Sequence, residues 1–115
     1  MERKITVELL DEAQAFVYSQ RLEVQKKISY NLARVASGEK DAEIFKKLED
    51  TDIWEFRTLY NGTAYRLFAF WDTESGALVV ATHGIVKKTQ KTPPKEIRKA
   101  ERIRQEYYND KNNRL

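Results

Sequence analysis

Apolar residues alternate at Ile5, Val7 and Leu9, a period-two spacing that suits a short strand within residues 1–10. Asp11 followed three residues later by Gln14 has the form of a capping box, so a first helix is expected from Asp11 to about Gln20. Val24, Ile28, Leu32 and Val35 then recur at three to four residues, which gives a second helix with a charged outer face and a stop at Gly38. After Lys40 the period changes. Asn61-Gly62 is the strongest turn signal, because both central positions of a type I′ hairpin need positive φ. The flanking residues, 53–60 and 63–71, read as its two strands. Glu74-Ser75-Gly76 marks a second turn, and residues 77–87, rich in β-branched side chains, form the next strand. Residues 45–48 are expected to add one more. Thr92-Pro93-Pro94 supplies a cap and rigid first-turn residues for a last helix, with Ile97, Ala100, Ile103 and Tyr107 as its buried stripe. Residues 109–115 read as a polar, frayed tail. Helices, then an antiparallel meander, then a helix define an α+β fold of about four strands, as one domain over residues 1–115 with no internal repeat.

Composition narrows the picture only slightly. A chain of 115 residues suffices for a single core, so a single site is expected. Lys and Arg number 21 against 18 Asp and Glu, a net charge of +3 that suits a nucleic-acid partner without demanding one, so charge placement must decide. The absence of cysteine excludes disulfide frameworks and thiolate metal clusters, and fits a reducing cytoplasm. Met1 is followed by Glu2-Arg3-Lys4, and no run approaches roughly 18 apolar residues, so neither a signal peptide nor a membrane span is expected and the chain reads as soluble and intracellular.

The hairpins place the charges. With Asn61-Gly62 as a two-residue loop, Tyr60 pairs with Thr63 and Arg57 falls directly opposite Arg66. Directly opposed like charges are unfavourable unless an anion or a carboxylate relieves them, and Glu55 is the nearest internal candidate. The same count puts Trp54, Phe56, Tyr65 and Leu67 on the reverse, helix-covered face. An even second loop, either Glu74-Ser75 or residues 73–76, sets His83 opposite Arg66, whereas a three-residue loop turns it away. In the even register Arg57, Arg66 and His83 line up across three strands, with Lys87 further along the same face. Such a row binds anions around a titratable centre. It suits RNA cleavage by attack of the 2′-hydroxyl on the adjacent phosphate, a reaction that needs no metal in principle. The plainer alternative is a solvated face on which Glu55 bridges the two arginines and His83 is a hydrogen-bonded structural residue. Lys87, Lys88 and Lys91 concentrate before the last helix, either to draw in phosphates or as an ordinary solvated loop. Lys95, Lys99 and Arg102 form a basic stripe that serves solubility or RNA contact, and Tyr107 and Tyr108 fit either base stacking or the core. With one histidine and no cysteine, and with no P-loop or dinucleotide loop, no metal and no cofactor are expected.

The segments Ile53-Trp54-Glu55-Phe56-Arg57, Gly62-Thr63-Ala64-Tyr65-Arg66 and His83-Gly84-Ile85-Val86-Lys87-Lys88-Thr89-Gln90-Lys91-Thr92-Pro93, followed by a helix carrying Glu96 and Ala100, resemble the HigB-like, phage-related branch of the RelE/ParE toxin superfamily. The likeness covers about residues 45–108 by motif, while the N-terminal helices agree only in order and length. It implies a RelE-like fold, a compact antiparallel sheet with two N-terminal helices and a C-terminal helix packed on it. It further implies ribosome-dependent cleavage of messenger RNA in the small-subunit decoding site, and a cognate antitoxin, often a helix-turn-helix protein. Residue by residue, the resemblance places Arg66 beside the scissile phosphate and makes Arg57 a basic strand residue, with Lys87 or Lys88 at a later basic position. Glu55 stands where many RelE nucleases have a second basic residue, which leaves the general base open. His83 belongs to the motif of this branch, and its catalytic role is drawn from chemistry. The expected catalytic set is thus Arg57, Arg66, His83 and Lys87, with Lys88, Lys91, Glu55 and Lys95 on the RNA. Two other functions fit the scaffold: a ParE-like protein that poisons DNA gyrase by binding, and a phage-derived module that only binds its helix-turn-helix partner.

Overall fold

A computed structural model describes residues 4–89 and 91–113 of the chain; Gln90 of the basic run and the last two residues of the expected tail lie outside them. The elements are β1 (Thr6–Leu9), α1 (Asp11–Tyr18), α2 (Leu22–Ala36), β2 (Phe45–Lys47), β3 (Trp54–Tyr60), β4 (Thr63–Asp72), β5 (Leu78–Lys87) and α3 (Pro94–Asn112). The sheet has five strands in the order β1-β5-β4-β3-β2, one more than the meander alone provides. The addition is β1, which lies parallel to β5 with Thr6 against Leu78, while the remaining pairs are antiparallel.

Both faces of the sheet are covered, which explains the unbroken apolar run at the centre of β4. Leu67 and Ala69 point to one side, where Ala13 and Val17 of α1 and Val24, Ile28 and Val35 of α2 pack with Phe56 and Val79. Phe68 and Phe70 point to the other, against Val80 and Ala100 of α3. Trp54, Phe56, Tyr65 and Leu67 share the α1–α2 face, as the hairpin count requires. Gly84 is needed on that face, because a Cβ there would overlap the Phe16 ring of α1. α3 packs over Phe68, Phe70 and Val80, and beyond it on the same sheet face Arg57, Arg66 and Lys87 line a shallow cleft.

The capping signals fare differently from the periodicities. Asp11 is the first residue of α1, whose N-cap is Leu10 without a side-chain cap; the Gln14 amide instead donates to the Leu9 carbonyl at 3.0 Å. α3 begins after Pro93, also without a side-chain cap. It continues through the residues expected to fray, because its C-terminal turn closes over Asp72. That carboxylate is fully buried and accepts hydrogen bonds from Tyr107 Oη and from Lys111 Nζ at 2.7 Å. None of the described helices is long and apolar enough to cross a membrane.

Candidate functional site

Asn61 at φ 48° and Gly62 at φ 79° form the expected tight turn, and the ladder behind it sets Arg57 opposite Arg66. Arg57 N–H donates to the Ile44 carbonyl of the neighbouring chain segment at 2.8 Å, so its backbone polar groups face away from β4. Arg57 and Arg66 are therefore a non-hydrogen-bonded pair, the kind in which opposed side chains approach closest. The Arg57 side chain is 30% exposed and that of Arg66 only 9%.

Glu55 lies between them with its side chain 3% exposed. Its Oε1 is 3.9 Å from Arg57 Nε and 3.7 Å from Arg66 Nε, too far for good hydrogen bonds. Both Nε–H groups are buried without a hydrogen-bond partner. The carboxylate's other oxygen accepts from the Thr92 hydroxyl at 2.7 Å; Thr92 stands one residue before the N-cap Pro93 and does not cap α3. Arg66 spends one N–H on the Tyr65 carbonyl at 3.1 Å, and Arg57 one on the Ala42 carbonyl at 3.4 Å. Lys87 completes the group. Arg57, Glu55, Lys87 and Thr92 line an open cleft of about 440 Å³ with Lys46, and a shallower one of about 320 Å³ joins Arg57, Arg66, Lys87 and Lys88.

Three cations around one carboxylate leave the cluster positive. Burial, then the charge of Arg57, lowers the Arg66 pKa, and Glu55 offsets part of this. Burial also lowers the Lys87 pKa, followed by repulsion from Arg66, with Glu55 again opposing. An incoming anion would relieve both repulsions. Among the described residues, no group of three or more His, Cys, Asp and Glu side chains is placed to hold a metal ion.

His83 departs from its expected place. The second loop has five residues between Asp72 and Leu78, an odd length that would turn His83 to the α1–α2 face. A β-bulge between Phe68 and Ala69 leaves Thr82 as the extra residue and restores the parity. His83 thus returns to the face of Arg66 but pairs with Phe68, and Ile85 takes the position opposite Arg66. There it is 3% exposed, stacked on Phe68 at 4.9 Å, with Nδ1 2.9 Å from Thr82 Oγ1 and Nε2 3.1 Å from Glu96 Oε1 of α3. Burial lowers its pKa against the pull of Glu96. A neutral ring donating from Nε2 to Glu96 and accepting at Nδ1 satisfies both contacts. His83 ties β5 to α3 and stands apart from the arginine cluster.

The remaining candidates scatter. Lys88 is exposed at the cluster's edge, while Lys91 and Lys95 are exposed and line neither cleft. The stripe on α3 is partly neutralised, since Lys99 pairs with Glu12 at 2.8 Å and Arg102 with Glu106 at 3.6 Å. Tyr107 is spent on Asp72, and Tyr108 donates to the Trp71 carbonyl. Two residues escaped the sequence reading. Lys46 faces the cluster because β2 pairs it with Glu55, a position visible from the alternation at Phe45 once that pairing is known. Thr92 looked like a helix cap, and nothing local tells that its hydroxyl goes to Glu55.

A chain in the crystal structure of the intact E. coli RelBE toxin–antitoxin complex has a similar fold, with a TM-score of 0.54 at 16% identity, over 76% of this chain and 99% of that one. No curated protein matches significantly. The family model described as phage-derived protein Gp49-like matches residues 15–105, the span that carries both hairpins, the arginine pair and most of α3. The chain belongs to the Gp49-like family of phage-derived proteins.

Proposed function

We propose that the chain is a HigB-like toxin that cleaves messenger RNA on the ribosome, in the small-subunit decoding site, using the Arg57–Arg66 cluster and no metal. One observation carries the reading: two buried guanidinium Nε–H donors, side by side on one sheet face, lack acceptors within a cluster of net positive charge. A scissile phosphate entering the cluster turns the guanidiniums from Glu55 towards itself and accepts those hydrogen bonds. The bonds strengthen as charge builds on the phosphoryl oxygens in the transition state. In the step proposed, the 2′-oxygen forms a bond to phosphorus and the bond to the 5′-oxygen breaks, leaving a cyclic phosphate and a free 5′-hydroxyl. Glu55 accepts the proton of the 2′-hydroxyl. Lys87, made a stronger acid by burial and by Arg66, protonates the departing 5′-oxygen. Lys88 and Lys46 hold flanking phosphates, with Lys91 and Lys95 as outer, screened contacts. The toxin acts in the cytoplasm and is held inactive by an antitoxin, a helix-turn-helix protein. The fold's likeness to a chain of a toxin–antitoxin complex supports such a partner.

Primer extension on RNA from cells expressing the chain tests the proposal. New 5′ ends within translated messages are expected, and their absence together with gyrase inhibition would replace the nuclease with the gyrase reading. Lys87→Arg should cut as poorly as Lys87→Ala, both down by about 10- to 100-fold, because arginine keeps the charge but is too weak an acid to give up its proton. An arginine variant with full activity would reduce Lys87 to a phosphate contact.

His83 is given no part in the chemistry. His83→Ala should lower stability by about 1–3 kcal/mol through its lost stacking and hydrogen bonds, while cleavage per folded molecule holds. Thermal melts beside primer extension separate the two effects. An unchanged melt with cleavage abolished would return the imidazole to the reacting site.

A further inference from the structure

Both tryptophans of the chain, Trp54 and Trp71, line a separate cavity that the cleavage chemistry does not use. It measures about 620 Å³ and lies on the α1–α2 face, reached from β2 and the C-terminal end of α2. Its floor is aromatic: Phe45 stacks on Trp54 with ring centroids 4.7 Å apart, and Trp71 meets Trp54 edge-on at 6.2 Å. All three rings are only partly buried. The size and apolar lining suit the burial of an organic group. At the rim, Glu39 and Asp41 are both engaged by Arg34, whereas Lys4 and Lys40 form no ion pair among the described residues. A cationic rim over an apolar floor fits an apolar body with carboxylates beside it.

The neighbouring backbone says how such a group would be presented. β2 is an edge strand. Ile44 and Leu48 turn their backbone groups to the β3 side, through Arg57 N–H to Ile44 O and Leu48 N–H to Ile53 O. By alternation, the Phe45 carbonyl and the Lys47 N–H face outwards. A strand laid along this edge sends successive side chains to opposite faces. One enters the tryptophan cavity, and the next falls beside Lys46 at the mouth of the arginine cleft.

We propose that an extended, acidic segment of a partner protein pairs with the free edge of β2, with an apolar side chain in the Trp54–Trp71 cavity and adjacent carboxylates on Lys40 and Lys46. The inference rests on the antitoxin reading above for the existence of a partner, and names where that partner grips. A single segment would join an apolar anchor on one face of the sheet to the basic cleft on the other.

Tryptophan emission reads this cavity directly, since no other tryptophan contributes. The probe is a short tryptophan-free peptide with a central phenylalanine and two glutamates on each side, so that carboxylates fall on both faces of the strand. It should change the emission saturably and protect the Lys47 amide from hydrogen exchange. Lys40→Glu should weaken the peptide at least about fivefold through lost charge complementarity. Ala42→Phe, which fills the cavity mouth from an exposed position, should abolish the emission change. Arg66→Ala should leave peptide affinity unchanged, so that failure of the nuclease reading and failure of the docking site remain distinct results. Three outcomes overturn the proposal: no saturable change, equal binding of a lysine-for-glutamate peptide, or binding of N-acetylphenylalanine as tight as that of the peptide with Lys47 unprotected.

Discussion

Arg66→Ala should cut messenger RNA about 100- to 1000-fold more slowly than the wild-type chain, the scale expected when one donor to a developing oxyanion is removed. Its stability should barely move. Arg66 is almost fully buried, faces Arg57 and has an unsatisfied Nε–H, so its removal relieves repulsion and an orphaned donor. Against that, Glu55 loses a nearby cation, and the two effects offset. A cluster assembled for binding an anion should behave this way, giving up activity but little stability on truncation. Lys99→Ala is the control. Lys99 loses only its pair with Glu12, worth under about 1 kcal/mol, and lines neither cleft. Primer extension with a circular dichroism melt of each variant gives both readings. Full cleavage by a folded Arg66→Ala chain would sink the site assignment, and a collapse of its melting temperature would make Arg66 structural.

Asp72→Ala should be strongly destabilising, at about 3 kcal/mol, because it leaves the Tyr107 hydroxyl without its acceptor and removes the buried carboxylate that holds Lys111. Burial alone would raise the Asp72 pKa. The hydrogen bonds from Lys111, Tyr107 and the Glu74 N–H outweigh it and hold the carboxyl at about 2, against an ordinary 3.8. A depressed carboxyl stabilises the fold fully above its unfolded pKa and loses that contribution as the pH falls through the folded one. For Asp72 the window runs from about pH 4 down to about pH 2, and the amount is roughly 2–3 kcal/mol. Urea melts across that window should show a falling limb in the wild type that Asp72→Asn flattens. Parallel limbs in the two proteins would place the acid sensitivity elsewhere.

The arginine pair was legible in the sequence because one short-range device, Asn61-Gly62, fixes the register of everything next to it. The second hairpin has no such device. Its five-residue loop and its bulge at Thr82 each shift the parity, and the two shifts cancel for the face of His83 but not for its partner. Alternation therefore found the face and missed the neighbour. The residue at the end of α3 failed for a different reason. Lys111 reads as tail from its own surroundings, and only the burial of Asp72, many positions earlier, makes it part of the structure. Helix caps misled similarly, since the Thr92 hydroxyl is directed to Glu55 and the N-cap position of α3 falls one residue later, at Pro93. In each case a local signal competed with a long-range partner, and the partner won.

The parallel pairing of β1 with β5 orders events in time. The strand that leaves the ribosome early finds its partner only after about 70 further residues have followed it. Until then, the apolar stripes of α1 and α2 cover an incomplete sheet, while the β3–β4 hairpin closes on neighbouring residues alone. Short-range pairing thus suffices to bring the arginines face to face, whereas the β5 edge, on the other side of β4 from Arg57, waits for the long-range return of β1. An N-terminal strand docked at the end of folding is a latch, and tension or proteolysis there should open the molecule before it disturbs the hairpin that holds Arg57 against Arg66.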